Sequence, residues 1–75
     1  MERMQYGGYV IDTNVFEIKG GGFSLTVVIE KHDGSGVHVQ TFPAKATCET
    51  RDAAEQAALE LGQRLIDGHI KGLTI

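Results

Sequence analysis

Several residue types are scarce in this 75-residue sequence, which has no tryptophan, one proline, one cysteine, two tyrosines and three phenylalanines. A single cysteine excludes an intramolecular disulfide and fits a reducing compartment. No apolar run approaches the roughly 20 residues that a membrane-spanning helix requires, and the first residues lack the apolar core of a signal peptide. We therefore expect a cytoplasmic protein without a membrane segment.

Basic side chains are also few and dispersed, and the formal net charge is −3. Binding to a phosphate backbone requires clustered lysine and arginine side chains. The sequence has seven such residues with no run among them: Arg3, Lys19, Lys31, Lys45, Arg51, Arg64 and Lys71. We therefore do not expect a nucleic-acid partner.

The remaining composition is that of one small globular domain spanning residues 1–75, with 41% hydrophobic and 23% charged residues. Its core can be only one layer deep, because the helical part of the sequence offers mostly alanine. Burial of about ten large apolar side chains at ~1.5–3 kcal/mol each barely offsets the entropy of ordering so short a chain. Marginal stability, or support from a second subunit, is the expectation.

The first extended segment, residues 6–19, contains two apolar groups separated by turn-prone residues 12–14. Ile11 and Phe16 are five positions apart, so they cannot share a face of an unbroken strand. Either a bulge near Asn14 restores a common face, or the segment forms two short strands. A bent first strand is the preferred interpretation.

Three glycines at 20–22 precede the clearest strand, Phe23–Lys31. A phosphate-binding loop would be followed by a helix or a Lys-Ser/Thr pair, so these glycines predict a hairpin turn instead. The strand alternates apolar and mostly polar residues, which indicates an antiparallel sheet with one packed face. The wet face lacks the aromatic pair of an RNA-binding sheet and is expected to carry Ser24, Thr26, Val28, Glu30, His38 and Gln40.

The returning strand begins at Val37, and the face that its apolar residues occupy restricts how it can pair with Phe23–Lys31. If Val37 and Val39 join the face of Ile29, the numbers of paired residues sum to an even value. A sum of 68 pairs Ile29 with Val39 and leaves a loop at 32–36, whereas a sum of 70 leaves a tighter loop at 34–36. Both registers remain open.

Pro43 is expected to end this strand because it has no N–H to donate, and residues 44–49 then form a connector or continue as an edge strand. A long helix follows, with Thr50 as N-cap, Asp52 in its first turn and Gly68 just past its end. On a helical wheel one face carries Ala54, Ala57, Ala58, Leu61, Gly62 and Leu65.

These elements predict a two-layer α+β fold in which a three-stranded antiparallel meander packs against one C-terminal helix, in the order β-β-β-α. Leu61 and Leu65 are expected to be buried against the sheet. Their expected partners on the first face of the central strand are Phe23, Leu25, Val27 and Ile29.

Apolar residues remain outside the core stripe of the helix. Leu59 and Ile66 lie to one side of it, and the tail adds Ile70, Leu73 and Ile75. Either the tail folds back onto this flank, or a second subunit covers it about a two-fold axis. These five residues form a candidate interaction surface for a homodimer or for another protein partner.

Patterns that carry catalysis or bind metal are not found. Cys48 precedes a helix start, where the pKa of a thiol falls, but no spacing supplies a base and an oxyanion hole. His32, His38 and His69 show no recognised ligand spacing with Cys48 or Asp33. Because the helical carboxylates spread around the helix, they form no acid–base pair. We expect no enzymatic activity, no metal and no cofactor.

The segment from Thr50 to Asp67 resembles the C-terminal helix of small bacterial HlyU-type and related domains, with its Thr cap, acidic-Ala turns and closing Ile-Asp pair. Residues 6–11, Tyr-Gly-Gly-Tyr-Val-Ile, are similar to their opening strand. Together these two segments make up about a third of the chain. The resemblance implies a β-β-β-α fold without an established activity. The regulatory role of some members is not implied, because the sequence shows no DNA-reading element.

A second resemblance is to HicB-type antitoxins, which have a partial ribonuclease-H-like fold. Phe42-Pro43, followed by Thr50 and an Ala-rich helix, is similar to their pattern. The connector departs from it by lacking the expected order of Gly and Cys, and no additional DNA-binding segment follows the helix. The sequence thus predicts a small non-catalytic protein-interaction module of bacterial type. A HicB-like antitoxin is the alternative, and a small thiol-dependent enzyme is the least favoured reading.

Overall fold

In a computed structural model the chain forms four strands and one helix, and the structure describes residues 3–75 apart from the side chains of residues 45 and 46. The elements in chain order are β1 (Arg3–Tyr6), β2 (Tyr9–Glu17), β3 (Phe23–Asp33), β4 (Gly36–Cys48) and α1 (Arg51–Asp67). The strands form one antiparallel sheet in the order β1-β2-β3-β4. The α+β meander with a C-terminal helix is confirmed, and the sheet has a fourth strand beyond the three expected.

The core lies between α1 and one face of the sheet, which we call the helix face. Alternate residues of β2 and β3 point to it, because successive side chains in a strand point to opposite sides. The buried apolar residues are Ile11, Val15, Leu25, Val27, Ile29, Ala54, Ala58 and Leu65. Two of these eight are alanines, so the core is as thin as the composition indicates.

A single strand, β2, runs through the first extended segment, and a further strand, β1, precedes it across a turn at Gly7 and Gly8. Both glycines have positive φ, 56° and 83°, which a side chain would disfavour. The predicted bulge near Asn14 and the alternative of two short strands are both wrong, because β2 pairs with β3 in one unbroken register from Val10 to Glu17. Phe16 therefore lies on the face away from the helix.

The predicted register of β3 and β4 is also wrong, because the numbers of paired residues sum to 69. Asp33 pairs with Gly36 across a two-residue turn, and Ile29 pairs with Gln40. The odd sum turns Val37 and Val39 away from the helix, where they are 58% and 55% exposed. The short turn decides this parity, and it is held by Asp33, whose carboxylate accepts hydrogen bonds from the backbone N–H and hydroxyl of Ser35 at 2.8 and 2.6 Å.

Pro43 does not end β4, which continues to Cys48. Pro43 lies opposite Thr26, and the pairing then shifts, so that residues 44–46 stand opposite Leu25 before Thr47 pairs with Ser24. Proline is tolerated here because β4 lies at the edge of the sheet. Of the two alternatives for residues 44–49, the edge strand is therefore found as far as Cys48.

The ends of α1 confirm the sequence prediction. The Thr50 hydroxyl oxygen accepts a hydrogen bond from the Ala53 N–H at 3.1 Å, and Gly68 adopts φ 83° with its N–H directed at the carbonyl of Leu65. The predicted core stripe is also present. Leu65 is buried, whereas Leu61 is only half-buried at the edge of the stripe.

A small residue at the centre of this stripe sets the distance between the two layers. A methyl group added to Gly62 would lie 2.7 Å from Cγ2 of Ile11, closer than carbon atoms pack. Ile11 is fully buried in β2. The helix axis can therefore lie this close to the sheet only because position 62 has no side chain.

The tail after α1 folds back onto the helix face. Gln40 of β4 donates a hydrogen bond to the carbonyl of Gly72 at 2.7 Å and accepts one from the N–H of Thr74 at 2.9 Å. The hydroxyl of Tyr9 donates to the carbonyl of Ile75 at 2.8 Å. The tail thus crosses from β4 to β2 and covers the part of the sheet that extends beyond α1.

We expect Leu65→Ala to lower the free energy of unfolding by ~2–5 kcal/mol, because it leaves a cavity in a thin core. Leu61→Ala is the matched control and should cost clearly less, since Leu61 is already partly exposed. Urea denaturation measures both. Equal losses would show that the helix is rotated relative to the arrangement described.

We expect Gly62→Ala to destabilise the domain by up to about 2 kcal/mol. Overpacking against Ile11 costs ~1–3 kcal/mol and outweighs the ~1 kcal/mol that alanine gains over glycine inside a helix. Gly34→Ala is the control, because Gly34 faces open space. Thermal unfolding decides the sign, and a stabilised Gly62→Ala variant would contradict the close approach.

Candidate functional site

The structure does not bring the residues of the thiol-enzyme hypothesis together. Cys48 lies opposite Phe23, whereas His38 lies ten positions earlier on β4, roughly 30 Å away at the strand rise per residue. His69 follows α1, at the far end of a 17-residue helix. The guanidinium of Arg51, three residues after Cys48, lies over the Phe23 ring at 5.2 Å. Within residues 3–75, no three His, Cys, Asp or Glu side chains form a group that could hold a metal ion.

A serine, a histidine and an aspartate do meet at the β3–β4 turn, which the sequence analysis did not foresee. Ser35 Oγ lies 3.0 Å from His38 Nε2, and Asp33 Oδ1 lies 3.4 Å from the same nitrogen. In a catalytic triad the serine and the carboxylate bind different ring nitrogens of the histidine. Here they share one nitrogen, and Ser35 also donates to Asp33. The arrangement closes the turn and does not activate a nucleophile.

The same contacts explain the acidity of Asp33. Hydrogen bonds from the Ser35 hydroxyl and then from the Ser35 N–H hold the pKa of Asp33 below its ordinary value. The signal that could have revealed this cluster is short-range, since Asp-Gly-Ser-Gly is a turn sequence in which an aspartate bonds to the residue two positions on.

A second polar cluster lies on the face of the sheet away from α1, which we call the uncovered face. Arg3 forms ion pairs with Asp12 and with Glu30, the latter at 3.3 Å, and His32 Nε2 lies 3.0 Å from Glu30. Hydrogen bonds from His32 and then Arg3 lower the pKa of Glu30. Burial, followed by the neighbouring Glu30, raises the pKa of Asp12.

This cluster adjoins an open cavity of about 530 Å³ beside the β1–β2 turn, with Arg3 and His32 in its wall. A cavity of that size could hold a small molecule. Arg3 is its natural anchor for an anion, but both Asp12 and Glu30 already neutralise the guanidinium. The cavity therefore offers no uncompensated charge to define a ligand.

The uncovered face differs from the wet face that the sequence predicted. The register places His38 and Gln40 on the helix face, and Val37 and Val39 take their place. Phe16 adds a further exposed apolar side chain, 48% exposed, on β2. The residues of β2, β3 and β4 on this face, by alternation, are Val10, Asp12, Asn14, Phe16, Ser24, Thr26, Val28, Glu30, His32, Val37, Val39, Thr41 and Pro43.

The outer edge of β4 has no neighbouring strand among the described residues. Natural edge strands are protected by charged side chains, proline, bulges or short length. In β4 these devices occur only from Pro43 onward, where the proline and the irregular pairing lie. The stretch from Gly36 to Phe42 carries no Asp, Glu, Lys or Arg. It is an unprotected edge.

The five residues of the predicted interaction surface lie in different places. Leu73 and Ile75 are half-buried against the core, as are Leu59 and Ile66, and Ile70 is 37% exposed. The tail folds back within its own chain onto Gln40 and Tyr9 of the sheet, whereas the expected contact with the flank of Leu59 and Ile66 stays a prediction. A role for these residues in binding a partner stays a prediction.

Comparison of the chain with protein-family models, with curated proteins and with solved structures finds no match. The resemblances to HlyU-type domains and HicB-type antitoxins therefore stay predictions. Within the described part of the chain, no helix has the length and apolar character to cross a lipid bilayer.

A polar contact joins β1 to the end of α1. The hydroxyl of Tyr6 donates to both carboxylate oxygens of Asp67 at 2.9 Å. This hydrogen bond, followed by burial, raises the pKa of Tyr6. Because the raised pKa belongs to the folded state, the contact stabilises the fold below the ordinary tyrosine pKa and is lost as the pH rises through the raised value.

In a Tyr9→Phe background, ultraviolet titration should therefore show Tyr6 ionising above the ordinary tyrosine pKa. Asp67→Asn should bring this ionisation back toward the ordinary value, because the neutral amide repels phenolate less and accepts a weaker hydrogen bond. Glu60→Gln, on the exposed side of α1, is the control. An unchanged titration in Asp67→Asn would show that the contact is not formed in solution.

Proposed function

We propose that this domain is a non-catalytic protein-interaction module whose partner is a second copy of the chain. The observation that carries the proposal is the exposure of Val37 and Val39 on an edge strand. β-Branched side chains in a sheet stabilise it by packing against cross-strand neighbours. At the edge these two valines have a neighbouring strand on one side only.

Charge supports a second copy as the occupant. Charged side chains occur on β1, β2 and β3, which carry Arg3, Asp12, Glu17, Glu30, Lys31 and Asp33, and β3 also has His32. The Gly36–Phe42 stretch of β4 has only His38. In a two-fold contact each surface meets its own copy, so a charged strip would repel itself. The Gly36–Phe42 stretch is therefore the part of the sheet where two chains of net charge −3 can approach each other without bringing like charges together.

The expected affinity is modest. Completing the burial of two half-exposed valines in each copy contributes about 1 kcal/mol per side chain, and backbone hydrogen bonds add ~0.5–1.5 kcal/mol each. Association costs at least ~4 kcal/mol in lost translational and rotational freedom. The balance favours dissociation constants in the micromolar range.

Sedimentation equilibrium between about 10 µM and 1 mM tests the proposal. We expect the 8.1 kDa chain to dimerise in this range, and Val39→Lys to shift the equilibrium to monomer while circular dichroism stays unchanged. Phe16→Lys is the control, because it adds the same charge to the same face at a site remote from the Gly36–Phe42 stretch. A chain that remains monomeric throughout would refute the proposal.

A further inference from the structure

We propose that the outer edge of β4 pairs antiparallel with the same edge of a second copy, with the two-fold axis at Val39, so that two four-stranded sheets become one of eight strands. This inference rests on the proposed self-association and adds which groups make the contact. Its three supports are the direction of the amide groups along β4, the length of the uncharged stretch and the position of the charged cluster.

The turn at Gly34–Ser35 determines which amide groups of β4 point outward. Asp33 and Gly36 flank a two-residue turn and so form a hydrogen-bonded pair. Along an antiparallel ladder such pairs alternate with non-hydrogen-bonded ones. The N–H and C=O groups of Val37, Val39 and Thr41 therefore point away from β3 and are free to bind a further strand.

Pro43 is the next residue in this outward series. Because the backbone of position 43 points outward, the missing N–H of proline removes no hydrogen bond to β3. It does remove the outward donor that would follow Thr41. The pairing edge is thereby limited to the stretch between the turn and Pro43. Val39 lies at the centre of this stretch, which runs from Gly36 to Phe42.

Centring the two-fold axis at Val39 pairs every outward residue with another outward residue. Val39 then lies opposite Val39 of the second copy, and Val37 lies opposite Thr41. The three pairs supply about six backbone hydrogen bonds. On the uncovered face the valines of both copies become cross-strand or diagonal neighbours, within contact distance for β-branched side chains.

Stacking of the two uncovered faces is the competing way to bury these valines. That arrangement would also cover Asp12 and Glu30, which lie in the middle of the face on β2 and β3 and are joined by Arg3. Removing such a cluster from water costs more than its ion pairs return. Edge pairing leaves the cluster in water, so the structure favours the edge.

Two kinds of variant test the geometry. In a Cys48→Ala background, Val39→Cys should form an intermolecular disulfide under mild oxidation, because directly opposed residues have Cα atoms about 5.5 Å apart. Val37→Cys is the matched control and should not, since its own copy lies four positions along the strand, at about 14 Å. Val39→Pro removes one outward N–H from each copy and should weaken dimerisation at least about tenfold.

The outcomes separate this inference from the proposed function. A disulfide at position 39 and not at 37, with weaker dimerisation of Val39→Pro, supports the edge pairing. A wild-type dimer that forms no disulfide at 39, or forms it at 37, refutes the edge geometry and leaves self-association standing. A wild-type monomer at 1 mM overturns both. If Val39→Pro does not fold, the cysteine pair decides alone.

Discussion

The close contact between α1 and β2 is the constraint on which the rest of the domain depends. Gly62 leaves no space for even a methyl group against Ile11, and Ala54 and Ala58 continue the same line of small buried residues. A helix with this face can lie close to the sheet, and it is centred on β2 and β3. The two outer strands must then be secured by other contacts.

Each outer strand is held in a different way. β1 is tied to the helix by polar contacts, from Tyr6 to Asp67 at 2.9 Å and from the amide of Gln63 to the sulfur of Met4 at 3.3 Å. β4 is held on its helix face by the tail, through Gln40. Both contacts secure faces or ends, and neither covers the outer edge of β4. The helix and the tail cover one face of the sheet, so the outer edge of β4 stays exposed.

Local signals predicted the parts of this fold that local chemistry determines. The cap at Thr50, the helix end at Gly68 and the alternation of β3 each depend on a few neighbouring residues. β1 was not predicted because a strand of four residues, two of them polar, is too short to show an alternation of apolar and polar side chains. The pairing of β4 with β3 was predicted wrongly because Val37 and Val39 resemble core residues. The two-residue turn between Asp33 and Gly36 decides instead that they face away from the helix. The contacts of Arg3, Asp12 and Glu30 could not be foreseen without that topology.

The charged groups and the apolar edge have opposite roles in this molecule. Asp33 is satisfied by Ser35 and His38 within one turn, and Arg3 is shared between two carboxylates. Groups that are paired within their own chain gain little from a partner and lose hydration when covered. The edge of β4 has the reverse property, because its outward amides and valines gain from a partner and have no charge to desolvate. In so thin a domain, stabilisation that the core cannot provide is therefore most readily gained at that edge.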